Sequence, residues 1–583
     1  MAESSQTGSV LIADNRLTTR HYSSFNLPPI LIILAFAVVL ALPMLIYGPL
    51  VDGHDTHEHL NFIGYFSAQF WRGDWYPRWL IGMNAGLGSP TYFVFPPLPA
   101  YVCVLLEPVA RLGHFSAFDL AALLALVISG IAAFLWLQTA VSRKIALGSA
   151  LLYMMMPYHL GIDFYRRCAL PEFWAMAWMP LVLYFTMRVT EGKRNASLGL
   201  AVAFALMIVS HLISVAMFFL VPIALAAFLA DPGQKVKNAF RVIAAMALGT
   251  GLSAIYLFPG LDNARYIPAS RIITVFKWSD NLIHIGKTLF IYSGADHFLL
   301  TLSWILVSMV IVAAMCGFAL LKWGGRDLSR HVLFWLSVCS GSALMISRFS
   351  SPVWRHIQKL AEAIQFPWRF NAVLCVGTIW LIALFFSKRR EFPKLTRSVF
   401  TIVMLIVFSA WLVMYGEVWH WYKVDVWNPP HDENHLISDS DGWFAAWVPP
   451  GTVQRSALIA SHGPKAAFKE GIGSALVQSW EPRDLNVQTN SPGGGWLMVD
   501  QFYYPTWQAS IPGKVGHLTT RAAMPEGLLE IAVPPGTYDI YILIPPSVAE
   551  RGGEWVSLFF LLFGIVIALS PQMERRFHLR KAQ

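Results

Sequence analysis

The sequence predicts a polytopic α-helical membrane protein of about twelve spans, with a β-rich domain and one last span near its C-terminus. Three observations carry that fold class. The 583 residues are 56% hydrophobic and only 13% charged, against about 25% charged in an average soluble protein. The apolar runs are about 17 to 25 residues long, the length a helix needs to cross the hydrocarbon core, and too continuous for barrel strands. From 417 to 553 the text changes to short alternating runs broken by Pro and Gly, the period-two pattern of antiparallel strands.

Taken in order, a polar arm at 1–28 carries Arg16 and Arg20 and leads into "PPILIILAFAVVLALPMLIYG". No convincing small-residue cleavage site follows, so this run reads as an uncleaved signal anchor. A transmembrane domain extends over 29–416, with candidate spans at 29–49, 117–140, 145–160, 172–190, two tight spans in 196–230, 240–258, 297–321, 331–348, 370–386 and 398–416. Basic clusters such as "SRK" at 142–144, "EGKRN" at 191–195 and "SKRR" at 387–390 fall between spans, the positive-inside signature. They account for the net charge of +9 and make nucleic acid a poor partner. Keeping "SRK" inside requires "FPPLPAYVCVLLEPVARLG" at 95–113 to dip into the outer face without crossing, as a re-entrant or interfacial helix.

With the N-terminus cytoplasmic, a first outer loop at 51–116, the loop 163–173 and the segments 259–284 and 348–370 share the extracytoplasmic side. So does the domain at 417–553, most simply a β-sandwich placed as a lid or sugar-contacting module. A span at 554–570 returns the chain to a basic cytoplasmic tail at 571–583. Cys103, Cys168, Cys316, Cys339 and Cys375 are scattered through the apolar part and imply neither a disulfide nor a zinc framework.

Just after the first apolar run stand Asp52, His54, Asp55, His57, Glu58 and His59. Ionisable groups at a membrane boundary point to function, and a carboxylate there can act as general base toward a hydroxyl. Asp55 is the first candidate and Asp52 the second. The plainer reading makes Asp55 or Thr56 the N-cap of a helix with Glu58 in its first turn, and the two readings are compatible. Asp52, His54, Asp55 and His57 also suit a divalent ion, whether zinc, manganese or magnesium. Their spacing matches no fixed metal motif, and a solvated face is the alternative. Arg78, Arg166, Arg167 and Arg369 fall on the outer side against the positive-inside bias, and as a set they suit a lipid-linked phosphate. Singly, each could instead meet a headgroup or a carboxylate such as Glu172. His211, in "VSHLIS", interrupts an apolar stretch and is either a satisfied structural histidine or a substrate ligand.

The stretch from Asp52 to Val102 resembles the first outer loop of the membrane family labelled 6-pyruvoyl-tetrahydropterin synthase-related, close to YfhO-type proteins. The matching features are Asp55, Thr56 and His59, the G-x-x-Y-P-R-W at Gly73 to Trp79, the G-x-G-x-P at Gly86 to Pro90 and the P-P-L-P at Pro96 to Pro99. "YRRCALPEFWA", "SHL", "QFPWRF" and "VDQFYYPTWQASIPGK" are also similar to that family. Nothing in the chain resembles the zinc core of the soluble pterin enzyme. The wider resemblance is to GT-C glycosyltransferases, which use a polyprenyl-phosphate sugar and an acidic residue in the first outer loop. That resemblance implies Asp55 as the catalytic base, with Asp52 as the departure to watch; His57, Glu58, His59, Arg78, Arg166, Arg167, Glu172, His211 and Arg369 stand beside it as substrate-binding candidates. The expected activity is transfer of a sugar from a polyprenyl-phosphate donor to an extracytoplasmic glycan, lipid or protein at a bacterial inner membrane. A lipid-linked glycan transporter and a non-catalytic assembly factor stand as alternatives. A transporter would carry ionisable groups near mid-membrane.

Overall fold

The computed structural model describes residues 27–50, 53–84, 86–113, 116–193, 195–266, 277–284, 297–424, 463–524 and 526–581. The polar arm, Asp52 and the first part of the expected β domain lie outside the described residues.

The first helix, α1 (Leu27–Tyr47), is apolar throughout. Helix α2 (Thr56–Phe70) repeats Phe62, Phe66 and Phe70 every fourth residue, so one face is aromatic and buried. That face packs on Tyr92 and on Ala100 and Val104 of α3 (Leu98–Gly113), giving the first loop a small core of its own. Helix α3 has 16 residues, fewer than the roughly 20 that a crossing helix needs.

The chain continues through α4 (Ala117–Leu137), α5 (Arg143–Met154), a π-helix at Pro157–Arg166, and α6 (Leu170–Thr190). Then come α7 (Ala196–Ser210), α8 (Leu212–Phe218), α9 (Leu220–Phe228), α10 (Lys235–Leu252) and α11 (Ala254–Ala264). Four longer α-helices then precede the strands and one follows them: α12 (His297–Trp323), α13 (Arg326–Ile346), α14 (Asn371–Lys388), α15 (Lys394–Val424) and α16 (Val548–Lys581), with two short helices at Ser351–His356 and Gln358–Ile364 between α13 and α14.

Among the described residues, seven helices are long and apolar enough to cross a membrane, or eight if α10 and α11, bent by 74° at their junction, count as one. The expected twelve is not reached among the described residues, for identifiable reasons. The stretch 196–230 breaks at His211 and Phe219 into helices of 15, 7 and 9 residues, each too short to span alone. Helices α6 and α13 have 21 residues each but carry Glu172 and Arg188, and Arg326, Arg330 and His331, within them. The expected span 145–160 is present as a longer apolar segment, Arg143–Arg166. Pro157 is tolerated there because it opens the π-helix, where its missing N–H is not needed. The proposed loop 163–173 therefore begins inside a helix.

Among the described residues, eight strands form two antiparallel sheets, ordered β1-β4-β7-β6 and β2-β3-β8-β5. They are β1 (Ala466–Glu470), β2 (Ser474–Glu481), β3 (Asp484–Ser491), β4 (Gly495–Phe502), β5 (Gln508–Ser510), β6 (Thr520–Ala522), β7 (Leu528–Val533) and β8 (Gly536–Leu543). Leu485, Val487, Ile540 and Ile542 of one sheet share a buried core with Leu497, Val499, Leu529 and Ile531 of the other, as in a sandwich. The β3–β4 turn needs glycine at 495: its φ is +153°, and a Cβ there would meet the Glu470 carbonyl oxygen at 2.1 Å. The expected boundary at 417 falls inside α15, which runs on to Val424.

The sandwich is fastened to the first loop by the motifs the sequence singled out. Trp79 is fully buried against Tyr504 and Trp507, and its Nε1–H donates to Gln501 Oε1 at 2.9 Å. The Phe502 N–H donates to the Leu87 carbonyl at 2.6 Å, and the Tyr504 hydroxyl to Asn263 Oδ1 at 2.6 Å. Gly88 has φ +83°, and a Cβ on it would strike the Trp79 ring at 2.6 Å. Nearby, Glu550 accepts both Nη groups of Arg483, at 2.9 and 3.1 Å, and pairs with Arg78 Nε at 3.2 Å. Glu550 also closes a capping box at the start of α16, its carboxylate accepting the Ser547 N–H and its own N–H donating to the Ser547 hydroxyl.

Removing Glu550 leaves Arg78 buried without its anion, a loss of about 3–5 kcal/mol. We therefore expect Glu550→Ala to lower the unfolding temperature in detergent and to open the sandwich to protease. Glu526→Ala, which removes the surface partner of Lys469, should stay within about 1 kcal/mol of wild type.

Candidate functional site

Residues 53–56 run back alongside the end of the π-helix. The Asp55 N–H donates to the Arg167 carbonyl at 2.9 Å and the His54 N–H to the Arg166 carbonyl at 3.3 Å. Asp55 occupies the N-cap position of α2, yet its carboxylate makes no capping hydrogen bond. It turns to Arg167 instead, whose Nη2 donates to Asp55 Oδ2 at 2.8 Å.

The same guanidinium serves two more acids. Arg167 Nη1 donates to Asp163 Oδ1 and to Glu172 Oε2, each at 2.7 Å. The Tyr158 hydroxyl donates to the other Glu172 oxygen at 2.9 Å, and Arg369 Nε lies 3.1 Å from Glu172 Oε2. Arg369 Nη1 donates to the Ile364 carbonyl at 2.9 Å. Two rings bracket the cations: the Arg167 guanidinium carbon sits 5.1 Å from the Trp368 ring centroid and that of Arg369 sits 4.9 Å from that of Phe366, within cation–π range. Thus "YRRCALPEF" and "QFPWRF" meet around three carboxylates. Of these, Asp163 and Glu172 are 0% and 1% exposed, while Asp55 is 29% exposed. Asp55 is the most exposed member of the network.

Electrostatics separate the carboxylates of the first loop. Burial would raise Asp55, but the Arg167 guanidinium, with His59 and Arg369 behind it, outweighs that and holds the carboxyl below its usual range. One turn on, burial pushes Glu58 up to about 7, and the negative charge of Asp55 adds to the effect. Burial pulls His59 down to about 4, so it is a neutral imidazole at pH 7, packed toward Phe95. His54 is likewise lowered by burial and by Arg166, and its ring contacts Phe298. A small apolar cavity opens beside His59, lined by Phe62, Phe95, Pro96, Leu170 and Pro171 among others.

The remaining candidates separate cleanly. His57 is half-buried on α2. His211 stands at the α7–α8 break in extended geometry, bonds the Ser214 hydroxyl at 2.8 Å and lies within electrostatic reach of Glu172. Arg78 is not in the network but belongs to the Glu550 fastening. Among the described residues, no group of three or more His, Cys, Asp or Glu side chains is placed to hold a metal ion. Asp52, the second candidate base, lies outside them. Arg167 and Arg369 carry the aromatic framing expected of phosphate ligands, but both point at Glu172. Asp163 and Arg369 lie inside the apolar segments 143–166 and 367–391, so ionisable groups do occur within membrane-length helices.

Sequence reasoning passed over Asp163 and Tyr158. The signal for Asp163 was present, since Asp163 and Arg167 have the i,i+4 spacing of a helical ion pair, but it was hidden once 163–173 was taken as a loop.

Two outcomes follow. Glu58 has a folded-state pKa raised from 4.5 to about 7, so its contribution to stability is complete below about pH 4.5 and is lost as pH rises through 7. Glu58→Gln should flatten that decline in a thermal-unfolding series from pH 5 to 8, and identical pH dependence would refute the assignment. Arg167→Met leaves three acids around Arg369 alone and should cost about 3–5 kcal/mol, read as loss of folded protein in detergent.

No curated protein matches the sequence. Among solved structures, the chain is similar to the arabinofuranosyltransferase AftD from Mycobacteria, with 16% identity and a TM-score of 0.42 over 68% of this chain and 27% of that one. It is also similar to an oligosaccharyltransferase of Archaeoglobus fulgidus, with 13% identity and a TM-score of 0.38 over 70% of this chain and 59% of that one. The chain thus spans about a quarter of the first protein and under two thirds of the second. Residues 91–282, about a third of the chain, match the model of the 6-pyruvoyl-tetrahydropterin synthase related domain, which is described as a membrane protein.

Proposed function

We propose that the chain is a membrane glycosyltransferase of GT-C type, moving a sugar from a polyprenyl-phosphate donor to an acceptor hydroxyl outside a bacterial inner membrane. The observation that carries this reading is the position of Asp55. It is an ionised carboxylate anchored to a buried arginine and yet partly open to the outside.

In the proposed reaction the acceptor hydroxyl oxygen attacks the anomeric carbon and its proton passes to Asp55. The bond from that carbon to the phosphate oxygen breaks, and polyprenyl phosphate leaves with the electron pair. Asp55 is held for this role from two sides, by its backbone pairing with Arg167 and by the Arg167 guanidinium. Because Arg167 also binds Asp163 and Glu172, it keeps its place when Asp55 takes up a proton. Glu58, titrating near 7, is matched to pass that proton on at neutral pH. Arg166, whose carbonyl accepts the His54 N–H beside Asp55, is the arginine we assign to the donor phosphate. A phosphate at Arg369 would have to compete with Glu172. The acceptor, be it glycan, lipid or protein, approaches from the side of the β-sandwich.

A lipid-linked glycan transporter draws support from the buried charges within apolar segments. They stand at the ends of those segments, however, three residues from the end of 143–166 and two from the start of 367–391, whereas transporter sites lie near mid-membrane.

Asp55→Asn, which keeps shape and removes the basic group, should abolish transfer while leaving membrane insertion intact. Arg166→Lys should weaken the apparent affinity for a polyprenyl-phosphate sugar by about 1–3 kcal/mol, measured by donor titration on purified protein. Wild-type transfer by Asp55→Asn would refute the base. Unchanged donor affinity in Arg166→Lys would remove the phosphate assignment.

A further inference from the structure

The outward face of the sheet β2-β3-β8-β5 has a composition that strand formation does not favour. The central strand β3 alternates buried Leu485, Val487, Thr489 and Ser491 with outward Asp484, Asn486, Gln488 and Asn490. Asp and Asn are depleted in strands, and an ordinary solvated surface mixes charges of both signs. Here the strand pairing sets Asn490 between Ser474 and Thr537, Gln488 between Leu476 and Asp539, and Asn486 between Ser479 and Tyr541. The next row is Glu481, Asp484, Leu543 and Gln508. None of these outward positions holds a lysine or arginine, although the chain has 43 of them against 34 acidic residues.

The amides are also under-used. Gln478 Nε2 approaches Gln488 Oε1 at 3.5 Å and Gln488 Nε2 approaches Asp539 Oδ1 at 3.3 Å, both long for hydrogen bonds. Directly across the ladder from Asn486 stands Tyr541, which is 40% exposed.

We propose that this face binds a neutral glycan. A side-chain amide offers a donor and an acceptor side by side, the complement of vicinal hydroxyls. An exposed tyrosine ring offers an apolar face to sugar C–H groups and a polar tip to water. Asp484 and Asp539, with no cation in these rows, select against phosphorylated or sulfated ligands. The surface is therefore suited to holding an acceptor glycan and unsuited to the anionic donor. Only the ligand's role as acceptor rests on the transferase reading; binding at this face does not.

The test uses full-length protein in lipid nanodiscs, which avoids sugar-headed detergents. Gluco-, manno- and arabino-hexasaccharides and a phosphorylated counterpart are titrated by saturation-transfer NMR. We expect at least one neutral hexasaccharide to bind, Tyr541→Ala and Asn486→Ala each to weaken it about tenfold, and Tyr541→Phe, which keeps the ring, to retain binding. Failure of every neutral hexasaccharide to bind, preference for the phosphorylated one, or wild-type binding by both alanine variants would overturn the proposal. Transfer to a monosaccharide acceptor is measured on the same variants. Intact transfer with lost binding supports a separate holding surface. Glycan binding without any transfer by wild type supports this face while counting against the transferase reading.

Discussion

One guanidinium holds the site together. Arg167 is buried and donates to Asp55, Asp163 and Glu172 from three directions of the chain. Interactions between charges strengthen as water is withdrawn, and so does the penalty for leaving any of them unmatched. The arrangement is stable only when the first loop, the end of the π-helix, the start of α6 and the turn before α14 are all in place. Arg369 joins because a single arginine does not neutralise three acids. The cluster thereby converts four separate segments into one rigid wall, with Asp55 as its outward edge.

A second fastening works through shape. Trp79 fills a slot between Tyr504 and Trp507, Gly88 permits the close approach, and Gln501 takes the indole N–H. Where Arg167 fixes the loop to the helices, Trp79 fixes it to the sandwich. Glu550, paired with Arg78 and Arg483 and capping α16 at once, ties both to the last helix. The first loop is thus held from below by charge and from above by packing, a preorganisation that a reactive carboxylate requires.

How much of this was legible in the sequence differs by element. The alternation in "WLMVDQFYYPTWQASI" and "LLEIAVPPGTYDIYIL" announced strands, and those stretches contain β4, β5, β7 and β8. The N-cap pattern at Asp55 and Thr56, with Glu58 in the first turn, announced α2. Hydropathy does not register the helix breaks at His211 and Phe219, so the two tight spans expected in 196–230 are three shorter helices. Asp55, Glu172, Arg167 and Arg369 were all singled out, and Glu172 was named as an alternative partner for an arginine, which Arg167 and Arg369 bear out, but the pairing of Asp55 with Arg167 was not foreseen. Asp55 and Arg167 stand 112 residues apart and no local pattern links them. For the same reason "YPRW" and "QFYYPTW" were seen as two motifs and not as the halves of one contact, 422 residues apart at Trp79 and Gln501. Residue type shows which groups are costly to bury; only the fold shows which of them neutralise each other.

The central claim is that substrates meet the chain at Asp55 while Arg167 stays with its acids. The most direct measurement is a cryo-electron-microscopy structure with a non-transferable polyprenyl-phosphate sugar analogue. The account predicts the anomeric centre beside the Asp55 carboxylate, with the Arg167–Glu172 and Arg167–Asp163 pairs intact. An analogue seated away from Asp55, or an Arg167 drawn off its carboxylates onto the phosphate, would contradict it.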